Sequence, residues 1–432
     1  MDNNYQLTEE EKLRWDTRFD EAERVMGKAA ADALRKLYDF YGTDWLDWLA
    51  SLYDAKTGFF YYANSARDND GFLPDCESTC QTLGIVSYAG MMEHYNYNYI
   101  EAYPKRMRDA NTAYIKSMQS DDDGYFYHPQ WGSKIGDARR GRDFSQCLTM
   151  LSNFGERPLY PTATERLSDV AAGKCEAEET SLPPHLLSKE AMLEYLERCD
   201  VNHNSHSTGH NLSSQTAQIV AAGLGDFVAD YIEARQNPET GLWEEEANYS
   251  SLSGVIKISA LLSGLGRRIK YGDRIIESGI KVIMSDVDPA FIIYIFNPWG
   301  GLGTSVASAA KVYDEYIAGG ETPPYDMPAI RRSIYDRLPA MIDKTIEKLS
   351  KFRKPDGSFS YEQHRSAPTT QGVPVSLGLY EGDVNGLACA MQYTISSIFS
   401  ALGIPRIPMC NNNDFLDFRA KIEAAHDRLE VK

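Results

Sequence analysis

Residues 237–266 read NPETGLWEEEANYSSLSGVIKISALLSGLG, and two signals in this stretch decide the fold. NPETG is turn chemistry, because Asn, Pro and Gly supply the backbone shapes and local hydrogen bonds that reverse a chain. The Leu-Trp that follows provides apolar surface to dock the turn on the body of the protein. After a polar linker, 249–266 is rich in Ser, Gly, Leu and Ile with few charges. A helix that is small or apolar on most sides is buried on most sides.

The same pair of signals recurs. DAKTGFFYY (54–62), SDDDGYFYH (120–128) and KPDGSFSYE (354–362) are further Gly turns followed by aromatic residues. They lead into ESTCQTLGIVSYAGMM (77–92), DFSQCLTMLSNFG (143–155) and EGDVNGLACAMQYTISSIFSALG (381–403). HSTGHNLSSQTAQIVAAGLG (206–225) and GGLGTSVASAAKVYDEY (300–316) share the small-residue character. The pattern predicts six buried helices starting near residues 76, 142, 206, 249, 301 and 382. More charged, amphipathic runs lie around 28–53, 97–119, 188–199, 224–236, 269–285 and 326–352. Six buried helices alternating with six amphipathic ones read as an inner ring inside an outer ring, an all-α barrel with short hairpin pieces in its loops. An open helical solenoid is the competing architecture. The turns recur 66, 117 and 117 residues apart, which favours a closed pseudo-symmetric body over a uniform stack. The expectation is one domain over 1–432, with 156–187 as a loop insertion over the active-site face.

Composition narrows the function. The 432 residues carry 44 Lys+Arg against 62 Asp+Glu, a net charge of −18, which repels polyanions and argues against nucleic acid as a partner. The most apolar stretch, AFIIYIF (290–296), is too short for a bilayer, which needs ~20 apolar residues, so no membrane partner is expected. The first fifteen residues show neither a basic nor an apolar export region. Seven scattered cysteines fit reduced thiols. Both observations predict a cytoplasmic protein. The 27 tyrosines suit a cleft that stacks on a polar ring.

With this helical repeat, the chain resembles the (α/α)6 toroid enzymes, an architecture shared by many glycoside hydrolases and polysaccharide lyases and, in related form, by terpene cyclases. The resemblance implies an active site in a funnel at one end of the inner ring, with aromatic walls. It rests on architecture and gives no chemistry by itself.

The chemistry is read from the residues at the inner-helix starts, which would open on the same end of the ring. Asp75 and Glu77 precede one helix, and Glu381 and Asp383 precede the last. Paired carboxylates are the machinery of glycosidic hydrolysis, whereas the plainer role of such residues is helix capping. His206 and His210 share a helix face, with His203 nearby, and suit general acid–base work better than metal ligation. Arg139, Arg140 and Arg142 sit in GSKIGDARRGRD, either as an anion trap for an acidic sugar or as an Arg–Asp lattice. Tyr127, His128, Trp131, Asn204 and Trp299 complete the expected substrate-binding set. Trp131 and Trp299 are expected as ring platforms because they lie in Gly-rich loops. No cofactor and no metal site is expected, and neither a phosphate-binding Gly loop nor a nucleophile elbow is visible.

The leading expectation is a glycoside hydrolase acting on an oligosaccharide with an acidic sugar, with no unsaturated product. The first alternative is a uronate lyase, in which His206 or His210 neutralises or deprotonates, Tyr249 serves as base or acid and Arg142 holds the uronate carboxylate. A terpene-cyclase-like toroid and a non-enzymatic helical binding protein are the others. Oligomeric state is not readable.

Overall fold

The computed structural model describes residues 9–166, 184–186 and 188–430. Most of the expected insertion, 167–183 and 187, and also Cys175, lies outside the described residues. The body is mostly helical. Its longer helices are α1 (Glu9–Met26), α2 (Lys28–Tyr41), α3 (Cys76–Tyr88), α4 (Lys105–Met118), α5 (Asp137–Asn153), α6 (Lys189–Cys199) and α7 (Ser205–Ser213). They continue with α8 (Gly225–Glu233), α9 (Tyr249–Gly264), α10 (Gly272–Ile283), α11 (Ile293–Gly319), α12 (Met327–Leu349), α13 (Thr394–Leu402) and α14 (Asn412–Glu430). Two antiparallel hairpins pair β1 (Tyr53–Asp54) with β2 (Phe59–Phe60) and β3 (Thr369–Thr370) with β4 (Val373–Pro374).

Each repeat turn closes as its sequence requires. Gly58, Gly124, Gly241 and Gly357 all take φ between 71° and 81°, the left-handed region that favours glycine. Gly241 N–H donates to Asn237 O at 2.8 Å, and Asn237 Oδ1 accepts from Glu239 N–H at 2.8 Å. The turn then lands on α10. A Cβ on Gly241 would lie 2.9 Å from Ile275 N in α10. The aromatic residues after the turns are core: Phe59, Phe60, Phe126, Trp243 and Phe359 are all buried.

The two helix classes follow from their residues. On α10, Ile275, Ile276, Ile280 and Ile283 form one buried stripe at helical spacing. Each such side chain contributes ~1.5–3 kcal/mol when fully withdrawn from water. On α9, by contrast, burial runs almost unbroken from Ser251 to Val255 and continues at Ile258, Ser259, Leu261 and Leu262. Small residues let this helix approach neighbours on two sides. A Cβ on Gly209 of α7 would sit 2.7 Å from Lys257 Cβ, and one on Gly301 of α11 would sit 3.0 Å from Leu252 Cδ1. The small-residue helices thereby form a chain of neighbours, α7–α9–α11–α13, which continues through the helical segment 384–393 to α3 and on to α5.

The helix starts correct the sequence reading at two places. Helices begin at Cys76, Ser205, Tyr249 and Val384, at or within two residues of the expected positions. The second small-residue helix expected starts at Asp137 and not near 142, and the fifth at Ile293 and not near 301. NPWGG (297–301) therefore lies inside α11, with Pro298 in the helix interior. No helix among the described residues is long and apolar enough to cross a membrane.

Candidate functional site

The first and last small-residue helices start side by side, stitched by one extended segment. Asp75 N–H donates to Phe60 O at 3.2 Å, and Val384 N–H donates to Tyr62 O at 2.9 Å. Asp75 caps α3, accepting from Ser78 N–H at 3.1 Å and Ser78 Oγ at 2.7 Å. Asp383 caps the segment from 384, accepting from the backbone N–H groups of Gly386 (2.7 Å), Tyr361 (2.7 Å) and Ala367 (3.2 Å). Burial pushes the Asp383 carboxyl up to about 7, against the pull of those N–H donors. One helical turn further on, Gln81 Nε2 donates to Asn385 Oδ1 at 3.0 Å.

Beside these caps lies a buried ion lattice. The Arg139 side chain is fully buried and lies 2.9 Å from Glu77 Oε2, 2.8 Å from Asp143 Oδ1 and 3.4 Å from Asp75 Oδ1. It also donates to Thr370 Oγ1 at 2.9 Å, and Trp131 covers it with its ring centroid 4.4 Å away. Burial pushes Asp143 up to about 6, with Arg139 pulling the other way. Every donor of such a guanidinium must find an acceptor away from water, and here the protein supplies the acceptors itself. Arg139 is thus the lattice member of the expected arginine trio. Arg142 is partly exposed and binds the other Glu77 oxygen, Oε1.

Arg142 belongs to a group of polar side chains to which several separate helices contribute, called here the chamber. It lies within electrostatic reach of His210 on α7, Lys257 on α9, and Tyr361, Cys389 and Tyr393. Cys389 and Tyr393 belong to a π-helical turn, Ala388–Tyr393, of the kind that re-aims side chains at functional sites. Burial, followed by the repulsion of Lys257 and Arg142, pushes His210 down to about 4, so its imidazole is neutral at pH 7. His206 is lowered by burial and Lys257 in the same way. Burial lowers Lys257 first, and repulsion from Arg142 exceeds the attraction of Glu77. The phenols of Tyr361 and Tyr393 are raised by burial and by Cys389.

The structure therefore brings together Glu77, Arg142, His206 and His210 from the expected set, with Asp75 and Asp383 immediately behind them. Glu381 lies at the edge, accepting from Ser65 N–H at 2.8 Å and Ser366 Oγ at 3.0 Å. Other residues are engaged elsewhere. Tyr249 donates its hydroxyl to Val287 O at 2.6 Å and stacks on Tyr294, so its proton is already committed. Trp299 is no platform: it is buried in the core, with Nε1 donating to Thr345 Oγ1 at 3.0 Å, because the Gly-rich stretch around it is helix. His128 is buried with Nε2 3.0 Å from Pro74 O, and Trp131 donates to Pro374 O at 3.1 Å. Tyr127 donates to Asp123 Oδ2 at 2.5 Å, and the Arg140 guanidinium lies over the Tyr125 ring at 5.5 Å. Asn204 lines a separate surface cleft between α6 and α7, and His203 pairs with Asp200 at 2.9 Å.

Lys257, Tyr361, Cys389 and Tyr393 are the chamber residues that sequence reasoning missed. Lys257 carried a readable signal, as the single charge in the otherwise uncharged run 249–266. Among the described residues, no three His, Cys, Asp or Glu side chains are grouped to hold a metal ion.

No protein-family model matches the sequence, and no curated protein matches it. Among solved structures, the chain is similar to a glycoside hydrolase family 15 glucoamylase from Hypocrea jecorina. The two are 12% identical, the match covers 86% of this chain and 72% of that one, and the TM-score is 0.38, too loose a likeness to fix fold or chemistry.

Proposed function

We propose that this chain is a carbohydrate-active enzyme whose small-residue helices close into an (α/α)6 toroid with the active site at the mouth formed by their polar ends. One observation supports the reading: ionisable residues from α3, α5, α7, α9 and the π-helical turn, far apart in sequence, lie within electrostatic reach of one another. A solvated binding solenoid has no reason to assemble them, and a terpene-cyclase cavity would be apolar around its carboxylates.

The chamber favours elimination on an acidic sugar over hydrolysis. Asp75 and Asp383 spend their oxygens on caps, and both Glu77 oxygens are taken by guanidiniums. In contrast, a neutral His210 stands beside the cations Arg142 and Lys257. In the proposed step the substrate carboxylate is neutralised by the cations. His210 takes the proton from the carbon next to that carboxylate, the C4 oxygen departs with its electron pair and is protonated by a phenol, Tyr361 or Tyr393, and a 4,5-double bond remains. Hydrolysis keeps one supporting observation, the Asp383 carboxyl pushed up to about 7, in the range of a general acid.

Incubating the protein with uronate-containing and neutral oligosaccharides tests the proposal. Elimination produces an unsaturated uronate that absorbs in the near ultraviolet, and hydrolysis produces saturated ends without it. No cleavage of either class would overturn the enzyme reading.

A further inference from the structure

Cys76 and Cys147 meet across the α3–α5 interface. Their sulfurs lie 3.3 Å apart, within reach of an S–H···S hydrogen bond, although the residues are 71 apart in sequence. Both side chains are buried. Two thiols held in contact by the packing of separate helices have already made the encounter that disulfide formation requires. The bond needs ~2.05 Å between sulfurs, so a further approach of ~1.2 Å completes it. The pair also adjoins the ion lattice. Cys76 immediately precedes Glu77, Cys147 lies one turn beyond Asp143 on α5, and Arg139 joins those two carboxylates. The hydrogen bond to Cys147, and then burial, hold the Cys76 thiol well above its usual range, so it is protonated at pH 7 and reacts slowly.

We infer that Cys76 and Cys147 are an oxidation site, at which hydrogen peroxide converts the thiol pair into a disulfide that staples α3 to α5. One sulfur attacks a peroxide oxygen and breaks the O–O bond, giving a sulfenic acid and one water. The second sulfur then attacks the first, forming the S–S bond and releasing a second water. Two thiols and one peroxide thus become one disulfide and two waters, with the sulfurs oxidised by two electrons and the peroxide reduced by two. Burial selects the oxidant: peroxide is nearly as small as water, whereas a peptide disulfide such as oxidised glutathione is too large to reach either sulfur. The staple holds the same two helices as the ion lattice. It does not depend on the proposed reaction.

The test treats the folded full chain with hydrogen peroxide or with oxidised glutathione, alkylates the remaining thiols, and maps cross-linked peptides by mass spectrometry. Peroxide should join Cys76 to Cys147, and oxidised glutathione should give ~10-fold less of that product or none. The oxidised protein should unfold at a higher urea concentration than the reduced one, because the cross-link restricts the unfolded chain, and a dithiol reductant should reverse the gain. Cys76→Ser and Cys147→Ser should each abolish it. Should either variant fail to fold, the peptide map of the wild type decides alone. Peroxide treatment that leaves the two sulfurs unpaired, or joins either to another cysteine, overturns the site. So does equal yield with oxidised glutathione, or a cross-link that forms only after urea has unfolded the chain.

Discussion

Arg139 reaches Glu77 across the α3–α5 interface at 2.9 Å, and neither side chain is exposed to solvent. Glu77 holds Arg139 with one oxygen and Arg142 with the other, so the lattice that locks two helices together also orients the arginine that faces substrate.

Removing the inner guanidinium should therefore cost far more than removing the outer one. Arg139→Met leaves Asp75, Glu77 and Asp143 without their shared cation, and a loss of ~3–5 kcal/mol in urea unfolding is expected. Arg142→Met should lose less stability, because its guanidinium reaches solvent, but should lose activity. Equal urea midpoints for the two variants would mean that the lattice is not what holds α3 to α5.

Asp383 gives a pH signature of known sign. Its folded value, about 7, lies above the ordinary 3.8, so the native state holds the proton more tightly than the unfolded chain does. Its contribution to stability is present in full below about 4 and is lost as pH rises through about 7. Asp383→Asn removes that titration and keeps a capping oxygen for Gly386 N–H, but its amide nitrogen cannot accept from Tyr361 and Ala367 N–H as Oδ2 does. The stability of the wild type relative to Asp383→Asn should thus fall steadily from pH 4 to pH 7, at up to ~1.4 kcal/mol per pH unit. Because His206 and His210 titrate in both proteins, their opposite trend cancels in that difference. A difference independent of pH would place the Asp383 proton elsewhere.

Two glycines separate close packing from mere helix chemistry. A Cβ on Gly209 would lie 2.7 Å from Lys257 Cβ and 3.0 Å from Ile258 N, so Gly209→Ala must push α7 off α9, at ~1–3 kcal/mol. Gly141, on α5, has nothing within 4 Å of a built Cβ, and Gly141→Ala should stabilise by ~0.5–1 kcal/mol through helix propensity alone. Thermal melts of both variants read the contrast directly.

These residues also show how far the sequence could be read. Asp75 and Asn248 cap helices with side-chain oxygens, so the starts at 76 and 249 were visible locally. The Gly turns were visible because left-handed backbone needs glycine at that point in each repeat. NPWGG misled because Pro and Gly are breakers by local propensity, whereas tertiary packing against Leu252 and Ile256 keeps 297–301 helical. The carboxylates and histidines at the helix ends were legible as residues near a site. Their division into caps, lattice and open chamber was not, since it depends on which oxygen meets which donor across helices 60 residues and more apart, as between Glu77 and Arg139.

The roles of Glu381 and His210 separate the two chemistries. Glu381 accepts from Ser65 N–H on one oxygen and from Ser366 Oγ on the other; a glutamine carbonyl can keep the first, and its amide can donate to the Ser366 hydroxyl in place of the second. If elimination operates, Glu381→Gln keeps most of its turnover, while His210→Gln, which preserves size and polarity but cannot take a proton, loses ~10²-fold or more in kcat. If hydrolysis operates through the carboxylates, the ranking inverts, because an amide cannot deliver a proton. The pH profile gives an independent reading. A His210 base, held at about 4 by burial and its cationic neighbours, should give activity that falls off below that pH and stays flat through 6.5. A fall-off centred near 6.5 would mean that the histidine doing the work is a solvated one, and the chamber assignment would be wrong.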